Sequence, residues 1–172
     1  FDFNAGLPFR YSQDAGPVDE FIVNYDHADR NTFVRTTLAY ETYRAAGVES
    51  CVSFIVRLQR NNAYEGVANY IEQVDNGFVK DHDLDDRGTL FKHLAVDYPL
   101  MVNAWEFDQQ SPKDVSTVAD LQAFLDGIHQ SGPAKIQYLY DHVDLARFLD
   151  YQAASVLVHE NDHVAKNYCL YG

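Results

Sequence analysis

Two β-rich runs on either side of a short turn constrain the fold of this chain more than any other stretch. Val52-Ser53-Phe54-Ile55-Val56-Arg57-Leu58 and residues 64–72 are dense in branched and aromatic side chains. Arg60-Asn61-Asn62-Ala63 separates them with residues that tolerate the backbone angles of a tight turn, so an antiparallel hairpin is predicted. Phe54, Val56 and Leu58 alternate only imperfectly with Ser53, Ile55 and Arg57, which predicts a first strand covered on both faces. Upstream, Phe21-Ile22-Val23-Asn24-Tyr25 reads as another short strand. Between them, Asn31 or Thr32 can cap a helix that runs through Arg44, and Ala45-Ala46-Gly47 supplies its stop.

After Asp75 the chain turns acidic. Asp81-His82-Asp83-Leu84-Asp85-Asp86-Arg87-Gly88 opens like a calcium loop, yet the sixth position, where Gly makes the sharp turn, is Asp86, and the twelfth, where a Glu closes the site, is Lys92. A solvated acidic loop is the better reading. Val115, Val118, Leu121, Phe124 and Leu125 form the stripe of a surface helix opened by Ser111-Pro112 and ended by Gly127. Beyond Pro133 a last long helix is predicted from about Asp141 through His159, deeply buried because Val143, Phe148, Tyr151, Ala154, Val156, Leu157 and Val158 lie along it. Tyr168-Cys169-Leu170-Tyr171 has strand character. The fold class is therefore α+β.

Composition narrows the function. With 172 residues, 47% of them hydrophobic, the chain can bury one sizeable core or two small lobes. A net charge of −13, with only 13 Lys and Arg spread along the sequence, excludes a general nucleic-acid binder, because phosphate binding needs a clustered basic surface. Basic or neutral partners fit better. No run approaches the roughly twenty apolar residues needed to span a bilayer. Cys51 and Cys169 are too few for a disulfide framework and read as two buried thiols; Trp105 and the tyrosines read as core.

The last dozen residues carry two superimposed signatures. His159-Glu160-x-x-His163 is the zinc-peptidase pattern, which requires both imidazoles one helical turn apart on a helix, with Glu160 as base and a third ligand such as His129 or His142. Asn161 and Asp162 in its middle are poor helix formers. Asp162 followed by four residues and Asn167 is instead the spacing of a protein-kinase catalytic loop, where the Asp receives the substrate hydroxyl's proton and the Asn holds a magnesium ion. Asp and Asn also serve turns for purely local reasons, so spacing alone leaves both signatures open.

The element order, strand, helix, hairpin, acidic linker, helical region, Asp-x4-Asn and strand, is that of a protein kinase from mid small lobe to catalytic loop. Residues 35–48 (Arg-Thr-Thr-Leu-Ala-Tyr-Glu-Thr-Tyr-Arg-Ala-Ala-Gly-Val), Tyr70-Ile71-Glu72-Gln73-Val74-Asp75, Gly88-Thr89-Leu90-Phe91-Lys92, and Leu149-Asp150-Tyr151 through Asp162-x4-Asn167-Tyr168-Cys169-Leu170-Tyr171 resemble the CotH family, the spore-coat kinases and their relatives. The resemblance implies a protein-kinase-like fragment with a small antiparallel sheet and a helix over residues 1–75 and a mainly helical lobe over 76–172. It implies a secreted or spore-coat atypical kinase that uses ATP and magnesium or manganese to phosphorylate serine or threonine in a basic, Ser-rich protein.

By motif, the same resemblance makes Asp162 the catalytic acid and Asn167 the metal-facing amide. It sets Glu72 and Gln73 at the hinge that meets adenine; Glu41 is either the helix acid that pairs with a strand lysine or an exposed helix carboxylate, and Lys92 either a phosphate contact or a surface lysine. Arg35 is an ion-pair partner or a second phosphate contact. The family's lysine strand would precede Phe21 and its metal-binding Asp would follow Gly172, so a domain lacking both ends of its site, and silent by itself, is expected. A surface adhesion or binding module is the remaining class, one with no reason to bind ATP.

Overall fold

The computed structural model describes residues 9–13, 16–25, 29, 31–94, 103–115, 117–160 and 168–172. The chain forms two compact units, Phe1–His82 and Asp83–Gly172. Two three-stranded antiparallel sheets and five α-helices among the described residues make it an α+β protein with the character of a kinase-like fragment.

In the first unit, strand β1 (Phe21–Asn24) precedes helix α1 (Arg35–Ala45), and strands β2 (Ser53–Arg60) and β3 (Ala63–Glu72) form the hairpin, followed by the short helix α2 (Asn76–Asp81). The turn is made by Asn61 and Asn62 at φ 52° and 64°, the left-handed pair that lets two strands reverse without splaying. The sheet order β1-β3-β2 puts β3 in the centre. Coverage on both faces therefore falls on β3, where Ala68, Asn69, Tyr70, Ile71 and Glu72 are all buried in succession. The expectation that the 52–58 strand is covered on both faces is corrected: β2 is an edge strand with Ile55 and Arg57 exposed.

One face of the sheet is aromatic. Phe54 and Tyr70, cross-strand partners, stack with ring centroids 4.4 Å apart, and Phe21 and Tyr11 lie 4.9 and 5.4 Å from Tyr70. Such pairs contribute about 0.5–1.5 kcal/mol each beyond the area they bury. α1 meets β2 and β3 through polar contacts: Thr37 Oγ1 lies 3.3 Å from Ser53 Oγ and donates to Asn69 Oδ1 at 3.3 Å.

The helix begins later than Asn31 or Thr32 would start it. Asp29 is the organising residue: its carboxylate accepts from the backbone N–H of Thr32, Val34 and Arg35 and from the Thr32 hydroxyl, which ties the approach to α1 before the helix opens. At the other end Gly47, at φ 78°, donates to the Arg44 carbonyl and Val48 to that of Tyr43, the paired bonds that close a helix on a left-handed glycine.

The second unit holds strands β4 (Leu90–His93), β5 (Phe107–Ser111) and β6 (Cys169–Tyr171) in the order β5-β4-β6, with helices α3 (Val118–Ile128), α4 (Gly132–His142) and α5 (Leu145–Leu157). Its core is Phe91, Ala104, Phe107, Leu121 and Leu125, closed by Phe124, Ile128, Tyr168 and Leu170. Each fully buried Leu or Phe there contributes about 1.5–3 kcal/mol. Ser111-Pro112 ends a strand rather than opening the helix, and Gln109 ties the link to α3 by donating to the Val115 carbonyl at 2.7 Å and accepting from Thr117 N at 3.2 Å.

The helix predicted from about Asp141 through His159 is the shorter α5, and α4 occupies a stretch, Gly132–His142, for which the sequence predicts none. Val143 leaves helical geometry and Asp144 starts α5 anew, its carboxylate accepting from Arg147 N at 3.1 Å. Nor is α5 deeply buried: only Ala154 and Ser155 are, while Leu149, Val156 and Leu157 are 64%, 75% and 72% exposed. Trp105 and Cys169 are also exposed, against their expected burial, whereas Cys51 is buried. Among the described residues no helix is long and apolar enough to cross a membrane.

Candidate functional site

The first unit carries Glu41, Glu72 and Gln73. Glu72 ends the central strand, where its backbone N–H donates to the Val52 carbonyl at 2.9 Å and its carboxylate accepts from Val52 N at 2.8 Å. The same carboxylate oxygen lies 3.0 Å from His82 Nε2, and the other ring nitrogen, Nδ1, is 3.4 Å from Glu49 Oε2. Burial opposes a charge on this imidazole, but the hydrogen bonds and charges of Glu72 and then Glu49 outweigh it and hold His82 above the usual imidazole range. Phe78 stacks on the ring at 4.1 Å. The Glu72 side chain is thus spent on the fold, while Gln73, half-buried, follows it in the stretch that leads to α2. Asp75 caps that helix by accepting from Gly77 N and Phe78 N at 2.7 and 3.2 Å.

Glu41 is exposed and paired within its own helix, 2.6 Å from Arg44 Nη1; Arg44 reaches on to the Cys51 carbonyl at 3.2 Å. Arg35 is the first residue of α1.

In the second unit the Gly-x-Leu-x-Lys segment runs into β4, which pairs with β6 in the register Leu90↔Tyr171, Phe91↔Leu170 and Lys92↔Cys169. The pairing extends at both ends, through Thr89 and Gly172, which exchange two bonds at 2.6 and 3.1 Å, and through His93 N, which donates to the Tyr168 carbonyl at 3.0 Å. Lys92 is exposed, opposite Cys169 on one side and Asp108 on the other. Next to it His93 is fully buried, stacked on Tyr168 with centroids 4.8 Å apart, its Nε2 3.7 Å from Glu106 Oε2. Burial, then the Glu106 charge, pushes the Tyr168 phenol up to about 12.

Asp162, His163 and Asn167 lie outside the described residues, which resume at Tyr168. Both flanks of that stretch are defined. Downstream is β6, held by β4. Upstream, α5 stops at Leu157: His159, at φ 54°, donates to the Val156 carbonyl and Glu160 to that of Ser155, a left-handed helix ending of the same form as that after α1. His159 is therefore off the helix. The zinc pattern loses the condition that gives it meaning, since two imidazoles at this spacing share a face only if the helix continues through them.

Glu49 and His82 were not singled out by sequence. His82 sits in an acidic run whose resemblance to a calcium loop drew attention to the aspartates, and no spacing rule links it to Glu49. In that run Asp85 instead pairs with Arg87 at 2.6 Å.

The chain matches a family model described as CotH kinase protein over residues 4–172. No curated protein matches it.

Proposed function

The chain belongs to the CotH family, and from that premise we propose that it is an atypical protein kinase domain that transfers the γ-phosphoryl group of ATP to a serine or threonine hydroxyl of a protein. The observation that carries the reading is the pairing of β4 with β6. Two family motifs far apart in sequence meet there in one ladder, so the strand that leaves Asn167 is held in register against the strand of Lys92. A catalytic loop needs such a fixed exit, because phosphoryl transfer depends mainly on positioning and on charge neutralisation.

In this reading Asp162 orients the acceptor hydroxyl and takes its proton as that oxygen bonds to the γ-phosphorus. The bond from that phosphorus to the bridging oxygen breaks, and ADP leaves with the electron pair. Asn167 would hold magnesium or manganese through its amide oxygen, a donor suited to a hard cation. The cation, when bound, neutralises charge on the phosphates. Residues 73–75, the stretch that opens with the hinge position Gln73, would meet adenine. An acidic chain with a net charge of −13 favours a basic, Ser-rich protein substrate. The family resemblance also supports a secreted or spore-coat setting.

The test is phosphate transfer from labelled ATP, with magnesium, to a basic Ser-rich protein, measured on the full-length protein, since residues 1–172 by themselves are expected to be silent. Asp162→Ala should lower transfer at least about a hundredfold, as loss of a general base does. Transfer undiminished in the variant overturns the role of Asp162, and a chain that binds no ATP with magnesium is better read as a binding module.

A further inference from the structure

We infer that Glu49, His82 and Glu72 form a clasp that positions residues 73–75 for a nucleoside triphosphate, with His82 as the positioning residue and the Glu72 carboxylate making no nucleotide contact. Assigning a nucleotide to residues 73–75 rests on the reading above. The clasp itself stands on contacts within one unit.

His82 lies between two carboxylates, its Nε2 3.0 Å from Glu72 and its Nδ1 3.4 Å from Glu49. A neutral imidazole donates from one nitrogen and accepts at the other, so only the protonated ring can donate to both partners. The Glu72 contact closes the loop that contains residues 73–75, since Glu72 precedes it at the end of β3 and His82 caps the far end of α2. Inside that loop little is free to move. Glu72 exchanges bonds with Val52, Asp75 caps α2, and Phe78 and Val79 are buried. Glu49 adds the connection between α1 and β2. The clasp therefore ties three separate pieces of the unit to the one stretch whose backbone the nucleotide would meet.

Among the described residues Asp81 ends α2 beside His82, and Glu72 and Asp81 also act, after burial, to raise the Tyr11 phenol, with Arg44 opposing them. The local field is negative and favours the imidazolium. When pH rises and the ring loses its proton, one contact must fail. The shorter bond to the more buried Glu72 is retained and the more exposed Glu49 is released.

Two measurements on the full chain test this separately from the kinase reading. In an NMR pH titration of the His82 ring, wild type should titrate above an ordinary histidine, and the midpoint should fall in Glu49→Gln and further in Glu72→Gln. Midpoints unchanged in both variants overturn the clasp, whatever the chain does with nucleotides. Calorimetric titration with ATP and magnesium, at a pH below and a pH above the measured midpoint, tests positioning. Wild type should bind about fivefold or more weakly above it, a typical coupling between linked sites, whereas His82→Gln should be weak and flat across the same interval. Affinity in wild type that is independent of pH and equal to that of His82→Gln overturns positioning. No binding in any variant overturns the nucleotide reading and the positioning role with it, and the ring titration alone then decides the clasp.

Discussion

Tyr171 lays its ring over Gly88 and donates from its hydroxyl to the Asp85 carbonyl at 2.7 Å. A Cβ at residue 88 would overlap that ring, so the glycine of the Gly-x-Leu-x-Lys segment is needed for close approach across the β4–β6 ladder and not for an unusual backbone angle.

Gly88→Ala should therefore destabilise the chain by about 1–3 kcal/mol, the usual cost of forcing a side chain from a packed position. Tyr171→Phe removes only a partly exposed hydrogen bond and should cost no more than about 1 kcal/mol. Urea denaturation followed by circular dichroism measures both. Equal losses in the two variants would mean that the ring does not sit where the glycine makes room for it.

Tyr70 gives a contrast of the opposite kind. Its ring is at the centre of the aromatic face, 1% exposed, and its hydroxyl has no hydrogen-bond partner among the described residues. Tyr70→Phe should be neutral or stabilising by about 1 kcal/mol, because a buried hydroxyl without a partner costs desolvation. Tyr70→Ala should cost about 3–5 kcal/mol. A marked loss of thermal stability in Tyr70→Phe would show that the hydroxyl is bonded.

Asp29 makes an acid-side prediction. The Thr32 hydroxyl, ahead of the backbone N–H groups of Arg35, Thr32 and Val34, holds its carboxyl below the usual range against the opposing effect of desolvation. A depressed folded value gives stability that is present above the unfolded value and lost as pH falls through the folded one. The protection factors of the first-turn amides of α1, exchange rates taken relative to the intrinsic rate at each pH, should fall on acidification, and Asp29→Asn should show the lower protection already at neutral pH with less further change. Exchange that is insensitive to the substitution would remove Asp29 from the start of the helix.

His82 makes the reverse prediction for global stability. Its folded value is raised, so its contribution is fully present below the ordinary imidazole value and disappears as pH rises through the folded one. The urea midpoint of wild type should fall over that interval relative to His82→Gln. Parallel pH profiles for the two proteins would show that the imidazolium adds nothing to the fold.

The sequence by itself determined the elements whose causes are local. The β2–β3 hairpin follows from branched and aromatic runs around Asn61-Asn62, α1 from its stop at Gly47, and the family from motifs that are each continuous. Tertiary structure decided what depends on distant partners. β4 and β5 are four and five residues long, too short for a periodicity of their own, and β4 acquires meaning only through pairing with β5 and with β6 near the chain's end. α5 starts at the Asp144 cap, later than the apolar run from about Asp141 suggests. Nor could spacing reveal that Glu72, read as a nucleotide contact, turns its carboxylate to Val52 and His82, or that His82 reaches back to Glu49. Periodicity records which face of an element is apolar, whereas a polar clasp is made by single side chains whose meeting the folded chain alone determines.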